Sequence, residues 1–243
     1  MIWVAVLALG LFAGTLSGIV GFGASIMLMP VLMLAFGPQE AVPIMAIAAL
    51  LANLSRVLVW WREVEWRVNA YYCATAVPAA ALGARTLLVL DARVVEGLLG
   101  VLFLAMIPAR RWLYARGLRV KTWHFALVGS VIGFLSGMVA STGPINTPFF
   151  LAYGLVKGAF LATEALGSMA IGITKAIVFR RFDALPWETV LQGLIIGGSL
   201  MIGSRLAKSF VLRLDANQFR LLMDLLLAVA GLVLLWGAFV LPH

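Results

Sequence analysis

From Ala41 to Trp61 the chain is predominantly apolar, yet it carries an arginine, Arg56, near the end of the run. As a helix this stretch is long enough to cross the ~30 Å hydrocarbon layer of a bilayer, and an arginine inside such a layer costs several kcal/mol unless something satisfies or uses it. Comparable runs recur along the whole chain. Only 12% of its residues are charged, 63% are hydrophobic, and the mean hydropathy is +1.07, far from the balance of a soluble domain. The sequence predicts a polytopic membrane protein. Because backbone polar groups in lipid must be satisfied within the chain, and these runs lack the alternating pattern of a barrel, the fold class expected is all-α.

Turn and charge signals divide the runs into helical segments near 2–18, 24–36, 40–61, 67–88, 92–114, 121–138, 143–156, 159–179, 186–207 and 216–239. All eight tryptophans fall near the ends of these segments, as expected where amphipathic rings meet lipid headgroups. Met1 to Phe12 lacks a basic start and its apolar character continues past Gly14, so it reads as the first membrane helix rather than a signal peptide. The net charge of +8 comes mostly from cations in short connections, where they act as topological anchors; no nucleic-acid partner is expected. The one cysteine, Cys73, excludes an internal disulfide and reads as a small packing residue.

The segments at 24–36 and 143–156 are too short to span the bilayer at 1.5 Å per residue and are expected to be half-helices or return arms of hairpins. They belong to an internal repeat. Gly14-Thr15-Leu16-Ser17-Gly18 matches Gly133-Phe134-Leu135-Ser136-Gly137; Pro30 matches Pro148; Leu82-Gly83-Ala84-Arg85 matches Ile202-Gly203-Ser204-Arg205; and Leu90-Asp91-Ala92 matches Leu214-Asp215-Ala216. The division expected is a first transmembrane repeat over 1–115 and a second over 116–243, each of about five helical segments, joined into one membrane domain. If each half crosses an odd number of times, twelve cations (Arg62, Arg67, Arg110, Arg111, Arg116, Arg119, Lys121, Lys157, Arg205, Lys208, Arg213, Arg220) share the side of the basic linker against four (Arg85, Arg93, Arg180, Arg181). Parallel halves divide the same residues nine against seven. The excess of positive charge on cytoplasmic loops favours inverted repeats, an architecture that places a transport site near the bilayer midplane.

The repeat bears on Arg56. The offset of 119 that relates Gly14 to Gly133 carries Arg56 onto Lys175, so GITKAIVF repeats the intramembrane cation of LSRVLVWW. Neither stretch holds a carboxylate, and two such cations repel unless an anion lies between or beside them. The alternative is that both side chains snorkel, since Arg62 and Arg180 mark interfaces within reach. Around the breaks, LSGIVGFGASIMLMP and LSGMVASTGPINTP open short helices whose free N–H groups and positive dipole ends suit an oxyanion. The substrate-binding residues expected are Arg56, Lys175, Asn53, Gly23, Ser25, Ser141, Thr142, Gly143, Asn146 and Thr147. Asn53 lies one turn before Arg56, and Ser168 and Gly172 share the helix face of Lys175. Small residues such as Ala79/Gly83 and Gly193/Gly197 are expected simply to pack helices together. Glu164 and Asp224 are the acids clearly inside predicted spans, where either could exchange protons during transport; the plainer reading, that Asp224 pairs with Arg220 one turn away and Glu164 lies close to a helix end, is the one favoured.

Catalysis finds little support. His124 stands beside Trp123 at an interface, His243 is the last residue, and the sequence has no P-loop, dinucleotide fingerprint or metal-ligand cluster. The expectation is no enzyme, no cofactor and no metal.

These residues carry a resemblance. The Gly-Xaa-Xaa-Ser-Gly starts at Gly14 and Gly133, Gly21-Phe22-Gly23 ahead of Pro30, Ser141-Thr142-Gly143-Pro144 ahead of Pro148, the helix at Leu82 and the basic centre together resemble the TauE/SafE family of sulfite exporters, also called the toluenesulfonate uptake permease superfamily. The chain departs from that pattern at Ala24 and Val139-Ala140, where glycines are usual. The resemblance implies a multi-pass transporter in the bacterial cytoplasmic membrane that moves sulfite, sulfoacetate or related organosulfonates, commonly outward. The residues alone imply a secondary anion transporter working by alternating access, with a small anion and the lipid bilayer as its partners and a proton or sodium as candidate coupling ion. A carrier or channel for carboxylates, and a nontransporting membrane scaffold with a sealed core, are the competing readings.

Overall fold

The computed structural model describes residues 2–36, 38–87, 120–138, 143–181 and 186–215, with scattered positions between 217 and 232. The segment expected at 92–114 and most of 216–239 lie outside the described residues, as do Arg110, Arg111, Arg116, Arg119, Arg220 and Asp224. The described elements are α1 (Ile2–Val20), α2 (Ala24–Phe36), α3 (Pro38–Trp60), a 3-10 turn at Trp61–Glu63, α4 (Trp66–Leu87), α5 (His124–Met138), α6 (Gly143–Tyr153), α7 (Lys157–Arg181) and α8 (Trp187–Arg213). No strand occurs among the described residues.

The chain turns its apolar side chains outward. Leu127 and Val131 on α5, Ile173 and Ile177 on α7, and Ile195, Ile202 and Leu206 on α8 are exposed. Arg56, Glu164, Lys175, Asn53, Asn146 and Ser168 are buried. A surface of this kind is stable only with hydrocarbon as its solvent. Helices α1, α3, α7 and α8 are long and apolar enough to cross a membrane, and α5 is a shorter apolar helix. With 13 residues, α2 reaches only about 20 Å, and α6, with 11, about 17 Å, so both are the short segments the sequence expects.

Contact register gives the directions of the helices. Gly14 lies against Leu200 and Gly18 against Ser204, so α1 and α8 run the same way. Gly193 lies on Ile44, Gly197 on Ala48, and the Ser55 hydroxyl donates to the Met201 carbonyl at 3.0 Å, which makes α3 parallel to α8 as well. Gly133 lies on Ala76 and Gly137 on Ala80, so α5 follows α4; the Glu65 amide donates to Thr163 Oγ1 at 2.9 Å and Gly167 lies on Tyr72, so α7 does too. Between α3 and α7 the register descends: Arg56 meets Glu164, and Leu50 meets Gly172. Helices α1, α3 and α8 therefore run against α4, α5 and α7.

The matched glycine motifs lie in two close helix seams. A Cβ added to Gly14 would sit 2.6 Å from Leu200 Cα, and one on Gly133 would sit 2.6 Å from Ala76 Cα. Small residues let helix backbones approach this closely, which is how helices associate where no water is present to drive apolar faces together. The Gly-Xaa-Xaa-Ser-Gly starts are thus packing devices along most of their length.

Two helix ends differ from expectation for local reasons. α6 stops at Tyr153 rather than near 156 because Gly154 takes φ +110°; its N–H donates to the Leu151 carbonyl at 3.0 Å and that of Leu155 to the Phe150 carbonyl at 3.1 Å, the paired bonds of a Schellman cap. α8 runs on to Arg213 rather than ending near 207. Lys208, the first residue past the expected end, lays its ammonium 4.9 Å from the centre of the Trp60 ring and donates to the Val59 carbonyl at 3.3 Å. Trp60 is accordingly buried under this contact, whereas Trp61, Trp66, Trp123 and Trp187 are exposed.

Candidate functional site

The site begins at the break between α1 and α2. Gly21 and Gly23 take φ values of +92° and +106°, a region that L side chains rarely occupy. They reverse the chain so that α2 begins at Ala24 inside the protein. The first helical bond runs from the Met27 N–H to the Gly23 carbonyl at 3.1 Å, which leaves the N–H groups of the first turn with no partner inside the helix. Gly23, Ala24 and Ser25 line a cavity of about 50 Å³. A Cβ added to Gly23 would meet nothing within 4 Å, so this glycine borders open space.

The far wall belongs to α3 and α7. Asn53 and Arg56 reach the cavity from α3; Glu164, Ser168, Gly172 and Lys175 reach it from α7, and Ser17 closes it from α1. Arg56 and Lys175 are each only 4% exposed, so neither tip is in bulk solvent. Arg56 is held by the Gly21 carbonyl, by Asn53 Oδ1 and by the Glu164 carboxylate, the last at 2.8 Å. Its Nε has no hydrogen-bond partner among the described residues. Lys175 donates to the Ser136 carbonyl at 3.2 Å. Because α3 and α7 are antiparallel, Lys175 lies eleven residues along α7 from the level of Arg56, about 16 Å along the axis. The two cations approach one cavity from opposite depths.

Glu164 corrects the sequence reading. It lies on the third turn of α7, fully buried, and it opposes the Arg56 charge that the sequence leaves uncompensated. Its other oxygen accepts from the Ser168 hydroxyl. Behind Ser168 a polar chain continues: Asn146 Nδ2 donates to Ser168 Oγ at 3.2 Å, and the Tyr72 hydroxyl donates to Asn146 Oδ1 at 2.6 Å. A buried charge pair needs this sort of support, since its desolvation exceeds its attraction unless the remaining lone pairs are satisfied.

Of the residues expected from sequence, Arg56, Lys175, Asn53, Gly23 and Ser25 line the cavity. Asn146 stands one hydrogen bond behind it. Thr147 is buried on α6 and is not among the described residues lining the cavity, and Gly143 is the first residue of α6. Ser141 and Thr142 lie outside the described residues. The sequence reading missed Ser17, Tyr72 and the part taken by Glu164. Glu164 precedes Ser168 by four positions, so extending the Lys175 face one more turn reaches it.

Gly21 sets the Arg56 geometry from both sides. Its carbonyl accepts from the guanidinium, and a Cβ on it would lie 3.1 Å from Arg56 Nη1 at a strained φ. Gly21→Ala is expected to lower unfolding stability by about 1–3 kcal/mol, read as an earlier thermal transition of the purified protein in detergent.

Apolar helices facing outward, two short helices, and a charged cavity inside define a multi-pass membrane transport protein. The chain matches the family described as Sulfite exporter TauE/SafE over residues 6–234, and it belongs to that family. It is 31% identical over 195 residues to the probable membrane transporter protein y4hK of Sinorhizobium fredii, covering 72% of this chain and 73% of that protein. It is 27% identical over 259 residues to the probable membrane transporter protein YjnA of Bacillus subtilis, covering 96% of this chain and 99% of that protein. No solved structure matches it. The protein is a membrane transporter, and its family is one of transporters rather than enzymes.

Proposed function

We propose that the protein carries small sulfur oxyanions of sulfite size outward across the bacterial cytoplasmic membrane, by alternating access around the cavity between α2, α3 and α7. The observation that carries this reading is a buried guanidinium, its Nε unpartnered among the described residues, lining a cavity beside the open amino end of α2. The lining holds two cations and one carboxylate, so its field favours an anion. Guanidinium, ammonium, the Ser17 and Ser25 hydroxyls and backbone N–H groups approach from different sides, which suits a pyramidal or tetrahedral oxyanion better than a planar carboxylate. Since one water needs about 10–15 Å³ of such space, the cavity of about 50 Å³ admits a guest of a few non-hydrogen atoms in this conformation. The sulfur specificity and outward direction take their support from the family description.

The reading also takes the chain as two inverted repeats, 1–115 and 116–243. It is supported by the opposed directions of the three matched pairs, α1 with α5, α3 with α7 and α4 with α8, and by the reciprocal seams that fasten α1 to α8 and α5 to α4. Inverted repeats rocking about a shared site provide the two access states.

The test is a thermal-shift series on purified protein with sulfite, sulfate, thiosulfate, sulfoacetate, acetate and chloride. A ligand at a hundred times its Kd stabilises the folded state by about 2.7 kcal/mol. Sulfite and sulfate are expected to raise the transition temperature by several degrees, with acetate and chloride well below them. A shift by acetate as large as that by sulfite would replace the sulfur reading with carboxylate transport, and no shift by any anion would overturn the anion site.

A further inference from the structure

The Glu164 carboxylate occupies the place on Arg56 that an incoming oxyanion would take. One of its oxygens lies 2.8 Å from Arg56 Nη1, the other accepts from Ser168, and the residue lines the same cavity as Ser25 and Lys175. An anion entering this cavity therefore meets a fixed negative charge within a few ångströms, in a medium that screens charge poorly. Two carboxylate-like charges sharing one site do not both stay ionised when a proton is available.

The surrounding elements offer few other groups to absorb that repulsion. α3 presents Arg56, and α4 presents Tyr72 through Asn146 and Ser168. Lys175 lines the cavity from α7 itself. α1 and α2 contain no charged side chain, and the only titratable residues of α5 and α6 are His124 and Tyr153 at their ends. The 3-10 turn sets Glu63 against Gly158, nearly two turns from Glu164. On α8, Glu188 and Arg205 are exposed and Lys208 lies over Trp60.

We propose that Glu164 is a proton-binding site loaded together with the anion, so that binding of a divalent oxyanion draws one proton from water onto the Glu164 carboxylate. This rests on the anion site proposed above. The balance is simple: the carboxylate gains a proton and becomes a neutral acid, its hold on Arg56 weakens, and the guanidinium is released to the guest. The new hydroxyl becomes a donor facing the cavity. Ser168, freed from donating to a full carboxylate charge, remains tied to Asn146. Anion and proton then favour each other, and by linkage whatever raises one raises the other.

The test measures proton uptake when the full-length protein in detergent binds sulfate or thiosulfate, whose own charge is fixed across the range used. Titration calorimetry in buffers of different ionisation enthalpy reads the proton directly. The wild-type protein is expected to take up close to one proton per anion, and its affinity to weaken up to about tenfold per pH unit as pH rises. Glu164→Gln, which mimics the protonated acid, is expected to bind with no proton uptake and with pH-independent affinity. Its thermal transition should rise more on adding sulfate than that of wild type, because the anion then neutralises an Arg56 that has lost its partner. Uptake that persists in Glu164→Gln places the proton elsewhere and overturns the proposal. Binding by wild type with no proton uptake overturns it and leaves the anion site standing. A wild-type protein that binds no oxyanion overturns both. If Glu164→Gln does not fold, the wild-type count still tests the proposal: one proton per anion supports it, and none overturns it.

Discussion

Arg56→Gln is expected to abolish the sulfate-induced thermal shift and to lower stability by about 3–5 kcal/mol, the range found when one member of a buried charge pair is removed. The loss has two sources. The Gly21 carbonyl, Asn53 and Glu164 all lose their donor, and the Glu164 carboxylate is left buried without its opposing charge. The double variant Arg56→Gln with Glu164→Gln separates them. Removing the stranded carboxylate is expected to recover most of the stability and none of the anion response. Lys175→Gln, which removes the second cation lining the cavity, is expected to weaken the sulfate-induced shift. A sulfate shift unchanged in Arg56→Gln would mean that the guanidinium is structural only.

The second large effect is expected at the seams. Gly133→Leu places a side chain where even a Cβ would sit 2.6 Å from Ala76 Cα. Backbone cannot yield as a side-chain tip does, so α5 has to separate from α4. Overpacking of this kind exceeds the 1–3 kcal/mol of an ordinary core enlargement, and the variant is expected to elute as aggregate from size exclusion. Gly198→Leu is the control. It lies in the middle of α8, yet a Cβ there meets nothing within 4 Å, and the change also improves helix propensity. It is expected to elute and melt like wild type. Equal behaviour of the two variants would show that close helix approach does not hold these seams.

Much of this was legible in the chain. Apolar runs cut by charges located each described helix to within a few residues at most ends, since hydrocarbon length sets helix length directly. The offset of 119 brought Arg56 and Lys175 to one cavity, and the glycines at 21 and 23 placed the break between α1 and α2. What stayed hidden was pairing between elements far apart in sequence. Glu164 is 108 residues from Arg56, and nothing in either local stretch announces the ion pair. The same holds for Tyr72 and Asn146, 74 residues apart. Helix ends failed where a tertiary contact overrode a local signal, as Trp60 does for Lys208. Glycines were the most ambiguous letters: Gly14 and Gly133 pack helices, Gly21 and Gly23 bend the chain, and only the positive φ of the second pair separates the two uses.

The crossed seams set a timetable for assembly. α5 emerges from the ribosome after α4, so its partner is already waiting in the bilayer. α1 precedes both of them, but the helix it fits, Trp187–Arg213, follows them in the chain. Until then the notched strip at Gly14 and Gly18 faces lipid or a surrogate neighbour. A nascent chain halted before Trp187 therefore holds both partners of the α4–α5 seam but only one of the α1–α8 seam.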